Sequence, residues 1–194
     1  MLINISLNKS TPKTVYDRFE ISGVVVDLCH KLGIDLRSYS DIEKKGFDLS
    51  PWYLNTQGLY TPSRDEIGLN EWILSGHEAR RENLDCVILH EIGHWTGHSS
   101  RLARDAIVDI EDGSNIHKSL DAVMRGLGEE LTAEAIMYGL ARSLGVATEY
   151  HRQHFERYSN GLILLKDFNQ KLRDANMGVS YVMDIFNQNQ LKTA

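Results

Sequence analysis

Apolar positions follow two different patterns along the chain. In the first third, short apolar stretches alternate with turn residues, and one longer stretch has helical spacing. These patterns predict a strand at 2–7, a helix at about 13–31 that ends at Gly33, a loop at 41–51, and strands at 52–60 and 65–69. From about His77 onwards, the apolar residues recur at helical spacing.

The second pattern predicts a helical remainder. The expected elements are a helix from about His77 to near Gly97, a polar loop at 99–120, a helix at 124–144 stopped by Gly145, and two helices in 149–186 with a break at Asn160–Gly161 or Met177–Gly178. A mostly helical chain with a small antiparallel sheet in its N-terminal third is an α+β fold. We expect a single domain over 1–194, with the N-terminal helix and sheet in 1–75 and the other helices in 76–194.

Composition narrows the classes of function. The chain has 194 residues, 42% of them hydrophobic, and a formal net charge of −6, which disfavours binding to nucleic acid or an anionic membrane by charge alone. No apolar stretch reaches the length of a membrane span, and the first residues lack the order of a signal peptide. Because Cys29 and Cys86 lie in apolar runs, we expect buried, reduced thiols and a cytoplasmic location.

One motif points to metal chemistry, the run HEIGH at 90–94. Histidines four apart stand one turn apart on the same helix face, so His90 and His94 can both bind one tetrahedral Zn²⁺. Glu91 lies beside them, where it can act as a general base toward water. The apolar residues before His90 suit a helix with its other face in the core. The motif therefore predicts a zinc site.

A catalytic zinc needs a third protein ligand, and several residues qualify. The segment EELTAE at 129–134 places Glu130 and Glu134 on one helix face and Glu129 about a quarter turn away. We favour Glu130 as the ligand and Glu134 as the acceptor of a histidine N–H, with Glu134 and Glu129 as alternatives for the ligand. His98 is a further alternative, although it has drifted round the helix and follows a glycine.

The same segments resemble a known family. The run LHEIGHWTGH at 89–98, SRL at 100–102, YTPSRDEI at 60–67 and EELTAE at 129–134 are similar to the zincin-like metallopeptidase domain of ArdC-type antirestriction proteins, which also occurs in phage and plasmid polyvalent proteins. The resemblance covers about 15–190. It implies zinc held by His90, His94 and Glu130, with Glu91 as the general base.

The function that the resemblance implies is a zinc metallopeptidase of phage or mobile-element type. Its substrate would be a host or co-delivered protein, cleaved in counter-defence in the host cytoplasm. The alternative is a non-catalytic anti-defence protein that sequesters a host enzyme or a DNA-associated factor. The candidates for stabilising the oxyanion or contacting substrate are His98, Arg101, His117 and Tyr138.

A peptide substrate can also bind by adding to an edge strand beside the metal. We expect the strand at 65–69 to have this role, with Glu66 or Ile67 facing outward. This expectation makes Ile67 a candidate substrate-binding residue.

Overall fold

A computed structural model describes most of the chain. The described residues are 21–44, 56–61, 64–71, 81–104, 120–162 and 167–188. The predicted strand at 2–7 and most of the predicted loops at 41–51 and 99–120 lie outside them.

A short helix and a turn lead into the sheet. Helix α1 (Gly23–Leu32) ends as predicted at Gly33, whose φ of 69° is left-handed and costs glycine little. Strand β1 (Asp35–Ser38) and helix α2 (Tyr39–Glu43) follow directly. The hydrophobic pattern predicts neither of them, because each is only four or five residues long. The predicted loop at 41–51 therefore begins inside α2.

Among the described residues the sheet has three strands, and their pairing corrects the prediction of an antiparallel sheet. Strands β2 (Gly58–Thr61) and β3 (Glu66–Leu69) are antiparallel, with Tyr60 opposite Ile67. Strand β1 pairs with the other edge of β3 in parallel. The sheet is therefore mixed and not wholly antiparallel, with the order β1-β3-β2. β3 is the central strand, and all four of its residues are buried.

Four long helices form most of the described chain: α3 (Arg81–Thr96), α4 (Leu120–Ser143), α5 (Glu149–Leu162) and α6 (Phe168–Gln188). α4 packs against the other three, and α3 also packs against β2. α4 ends before Gly145, whose φ of 73° gives the predicted stop.

The two tail helices are separated after Asn160–Gly161 and not at Met177–Gly178. α6 continues through Gly178 because this glycine is a packing position: a Cβ there would lie 2.5 Å from Cδ1 of Ile136 on α4.

Side chains from α1, the sheet, α3, α4 and α6 share one hydrophobic core. Cys29 and Cys86 belong to it as free thiols, as predicted. Within the described ranges, no helix is both long enough and apolar enough to cross a membrane. The mostly helical α+β prediction is confirmed, and α3 and α4 form the scaffold of the site described next.

Candidate metal centre

Helix α3 brings the two motif histidines together. His90 and His94 stand one turn apart, and their Nε2 atoms face each other at 3.1 Å. Their rings meet edge to face, with centroids 4.8 Å apart. Both side chains are mostly buried, because the opposite face of α3 lies in the core. Two imidazole nitrogens therefore point at one position.

Helix α4 supplies a carboxylate to the same position. Oε2 of Glu130 lies 3.4 Å from Nε2 of His90, and Oε1 lies 3.4 Å from Nε2 of His94. The approach is close because α3 carries Gly93 where it faces Ala133 of α4; a Cβ on Gly93 would lie 2.7 Å from the Ala133 Cα. Small residues on both helices thus bring Glu130 within reach of the histidines.

The three groups have the spacing of zinc ligands. In a tetrahedral Zn²⁺ site with ligand distances of about 2.0–2.1 Å, the ligand atoms are about 3.3 Å apart. The two Nε2 atoms are 3.1 Å apart, and each lies 3.4 Å from one carboxylate oxygen of Glu130, Oε2 for His90 and Oε1 for His94. Two imidazole nitrogens and a carboxylate oxygen are also a donor set that zinc prefers. The residues present therefore fit the metal.

Glu129, an alternative ligand, lies in a different environment. Its carboxylate accepts hydrogen bonds from Nε of Arg104 at 3.1 Å and from Nζ of Lys171 at 3.0 Å. Arg104 also donates to the carbonyl oxygen of Gly93 and to Oγ1 of Thr96, each at 2.7 Å. This buried cluster joins the end of α3 to α4 and α6. The structure thus turns Glu130, and not Glu129, toward the histidines.

Glu91 is buried beside the histidines and is held by the sheet. The residue is only 7% exposed, and its Oε2 accepts a hydrogen bond from the backbone N–H of Tyr60 at 2.8 Å. Burial raises the pKa of the Glu91 carboxyl, and the neighbouring His90 and His94 oppose that effect. Because Tyr60 belongs to β2, this hydrogen bond fixes the distance between the sheet and the motif helix.

Glu134 lies one turn beyond Glu130 and is 1% exposed. Its Oε1 is 3.0 Å from Nδ1 of His90, although the ring N–H does not point directly at it. Its Oε2 is 2.9 Å from Nδ1 of His154 on α5. Burial disfavours ionisation of Glu134, but the two imidazoles outweigh it and lower the pKa of Glu134 to about 2. The predicted proximity of Glu134 to a motif histidine is thus present.

Burial and the neighbouring carboxylates have opposite effects on the pKa of His90. Burial favours the neutral imidazole, whereas the carboxylates of Glu130 and Glu134 favour the imidazolium and raise the pKa of His90 well above its usual value. These carboxylates attract a positive charge to the centre, and a metal cation can take the place of that proton.

Two of the predicted oxyanion candidates, Arg101 and Tyr138, make contacts that the structure describes. Arg101 donates to the Tyr60 hydroxyl at 3.2 Å, binds Asp65 and stacks on Trp95 at 3.7 Å, so its guanidinium braces the sheet against the end of α3. Tyr138 stacks on Phe155 between α4 and α5.

Two oxyanion candidates remain, His98 and His117. Nδ1 of His98 lies 2.7 Å from Oγ of Ser100 in the turn after α3. His117 lies outside the described residues.

The prediction that β3 is an edge strand is wrong. β3 is paired on both sides, and Ile67 is fully buried. Ile67 is therefore a core residue that substrate cannot reach. The strand that adjoins the motif helix is β2: a Cβ on Gly58 would lie 3.0 Å from Cγ of Glu91. Strand order depends on β1, whose pairing a short hydrophobic pattern does not reveal.

Three residues around the centre, Tyr60, His154 and Tyr158, are not predicted by the sequence pattern. Tyr60 anchors Glu91 through a backbone N–H, which has no side-chain signal. His154 and Tyr158, one turn apart on α5, stack with ring centroids 6.0 Å apart. Their i, i+4 spacing was a detectable sign of a shared face, but nothing local links that face to Glu134.

The sequence of the chain matches a known protein family. The profile of the zincin-like metallopeptidase family (MPTase-PolyVal) matches residues 45–177. Two curated DNA primase TraC sequences of Escherichia coli are each 45% identical over 49 residues. That segment is 25% of this chain and only 4% and 3% of the respective relatives. No solved structure gives a significant match. Because the profile matches more than half of the chain, the chain belongs to the zincin-like metallopeptidase family.

Proposed function

We propose that this protein is a zinc-dependent peptidase. The observation that carries the proposal is the convergence of His90, His94 and Glu130 at the spacing of tetrahedral zinc ligands, directly beside the buried carboxylate of Glu91. Family membership supports zinc binding in general. The specific assignments, with three ligands and Glu91 as general base, rest on the geometry.

Each residue of the centre has its own role in the proposed hydrolysis. When bound, Zn²⁺ would lower the pKa of water and polarise the scissile carbonyl. Glu91 takes a proton from the attacking water and passes it to the leaving amine. The Tyr60 N–H holds Oε2 of Glu91, so Oε1 remains as the proton acceptor. Oε1 of Glu134 lies 3.0 Å from Nδ1 of His90, close enough to orient the ring so that its Nε2 faces the metal position.

Substrate is proposed to bind as an extended peptide alongside β2. This strand lies at an edge of the described sheet, α3 packs against it, and Glu91 is bonded to its backbone. Main-chain hydrogen bonds to such a strand would supply affinity with little sequence preference. The acidic net charge favours a protein or peptide over nucleic acid as the partner.

The biological setting is proposed from resemblance. Similarity to antirestriction and polyvalent proteins supports a mobile-element origin and a role in counter-defence in the host cytoplasm. The short TraC-like segment supports the same setting. The target would be a host protein or one delivered with the peptidase.

The test combines metal analysis with mapping of cleavage in cells. Elemental analysis of the purified chain should give close to one zinc per chain, and the double variant His90→Ala/His94→Ala should lose it. Wild type, Glu91→Gln and the exposed control Glu156→Gln are then expressed in a bacterial host. New protein N-termini are identified by mass spectrometry.

Peptidase activity predicts new N-termini with wild type and Glu156→Gln, and their absence with a folded, zinc-containing Glu91→Gln. If Glu91→Gln keeps the full biological effect without new N-termini, the chain acts by sequestering a partner, and the peptidase proposal fails.

A further inference from the structure

We propose that His154 is a positioning residue for the metal centre, acting on His90 through the shared carboxylate of Glu134. This inference rests on the proposed zinc site and extends it to α5. The contacts form one continuous series: His90 Nδ1 to Glu134 Oε1 at 3.0 Å, and Glu134 Oε2 to His154 Nδ1 at 2.9 Å. Each oxygen of the carboxylate therefore has one imidazole neighbour.

Because Glu134 is buried, its contacts with the two imidazoles determine how its carboxylate is oriented. A carboxylate that is almost fully buried needs its hydrogen bonds to stay in place, since losing one leaves a desolvated acceptor unsatisfied. With His154 present, Oε2 is held and Oε1 stays toward His90. Without that donor, the carboxylate can rotate, and His90 loses the group that orients its ring.

The His154 ring is itself fixed by its helix. It stacks on Tyr158 with an interplanar angle of 21°, and the Tyr150 ring centroid lies 6.0 Å away on the other side. These three residues are spaced by four along α5 and so share one face. The ring plane, and with it the direction of Nδ1, is set by two aromatic neighbours. Because the His154 side chain is 37% exposed, these ring contacts, and not burial, orient its Nδ1.

The same contacts predict that α5 is coupled to metal binding. Loss of an outer-shell partner typically lowers metal affinity or activity by about 10–100-fold. Since His154 acts through Glu134 and not directly on His90, we expect an effect near the lower end, about tenfold.

The test measures zinc affinity of the full chain by competition with a chromophoric chelator. His154→Phe keeps an aromatic ring against Tyr158 but removes the donor, whereas His154→Gln keeps a donor. Arg152→Ala is the matched control, because Arg152 lies on the same helix but pairs with exposed Glu149 and Glu156. We expect about tenfold weaker zinc binding for His154→Phe. His154→Gln should lie nearer wild type, and Arg152→Ala should be unchanged.

A second readout reports on geometry and needs no substrate. With Co²⁺ in place of zinc, the visible absorption bands should shift in His154→Phe and not in Arg152→Ala. A folded His154→Phe with wild-type affinity and spectrum would overturn the positioning role while leaving the metal site intact. If wild type itself binds neither metal, the proposed metal site fails and this inference fails with it.

A measurement on the wild-type chain covers the case in which His154→Phe does not fold. Nitrogen NMR of ¹⁵N-histidine-labelled, zinc-loaded protein should show His154 with a proton on Nδ1. An unprotonated Nδ1 at His154 would refute the proposed donor.

Discussion

Substituting alanine for Gly93 tests whether close approach of α3 and α4 builds the metal centre. The new Cβ would lie 2.7 Å from the Cα, 2.9 Å from the carbonyl oxygen and 3.0 Å from the Cβ of Ala133. Carbon atoms in contact prefer about 3.5–4.0 Å, so the shortfall is about 1 Å. Because two of these neighbours are backbone atoms, no side-chain rotation can relieve the clash, and the helices must separate.

The separation has two measurable consequences. Overpacking of a well-packed core typically costs about 1–3 kcal/mol, and we expect a loss in that range. The metal ligands should respond more strongly, since zinc sites tolerate distance changes of only about 0.2 Å. A shift of about 1 Å between the helices removes Glu130 from His90 and His94. Zinc affinity should therefore fall by more than the roughly 100-fold seen for outer-shell losses.

The assay pairs chemical denaturation with zinc competition, and it needs a control for helix propensity. Alanine is favoured over glycine inside a helix by about 1 kcal/mol, which partly hides the clash. Gly126→Ala on α4 provides the control, because a Cβ there has no neighbour within 4 Å. This control should be stabilised and bind zinc normally. If Gly93→Ala behaves like Gly126→Ala in both measurements, close helix approach does not build the site.

Three further variants or reagents test other parts of the structure. Gly58→Ala places a Cβ 2.6 Å from Cγ1 of Val87 and 3.0 Å from Cγ of Glu91, so we expect β2 to shift and peptidase activity to fall while zinc content stays near one per chain; unchanged activity would contradict this. Glu129→Ala leaves the mostly buried Arg104 and the partly buried Lys171 without their carboxylate, and it should cost about 3 kcal/mol of unfolding free energy by urea titration, with zinc retained. A loss of zinc at unchanged stability would instead indicate a ligand. Burial raises the pKa of Cys29 to about 12 and also raises the pKa of Cys86, so a thiol reagent at pH 8 should label neither until the chain unfolds. Fast labelling of the native chain would refute their burial.

The motif helix was predictable because its signal is local. His90 and His94 meet through the geometry of one helical turn, and Glu130 follows from the same spacing on α4. Choosing between Glu129 and Glu130 needed the third dimension, because Arg104, which binds Glu129, is 25 residues away. Periodicity alone could not exclude either carboxylate.

The strand order was not predictable for a related reason. Four-residue strands such as β1 carry too few alternating positions to be recognised, and whether β3 is central depends on whether β1 pairs with it. One missed strand thus reversed the expected role of Ile67 from substrate contact to core. His154 was missed similarly, since its partner Glu134 lies 20 residues earlier on another helix.

The centre's stability and its proposed chemistry depend on the same contacts. Glu91, Glu130 and Glu134 place three carboxylates around two imidazoles, an arrangement whose mutual repulsion favours any cation that enters. The fold holds two of these carboxylates from outside the metal position, Glu91 by a backbone N–H from β2 and Glu134 by a ring nitrogen of His154 from α5. The backbone N–H carries no net charge, so it stabilises Glu91 without competing with zinc, which a lysine or arginine at the same place would do.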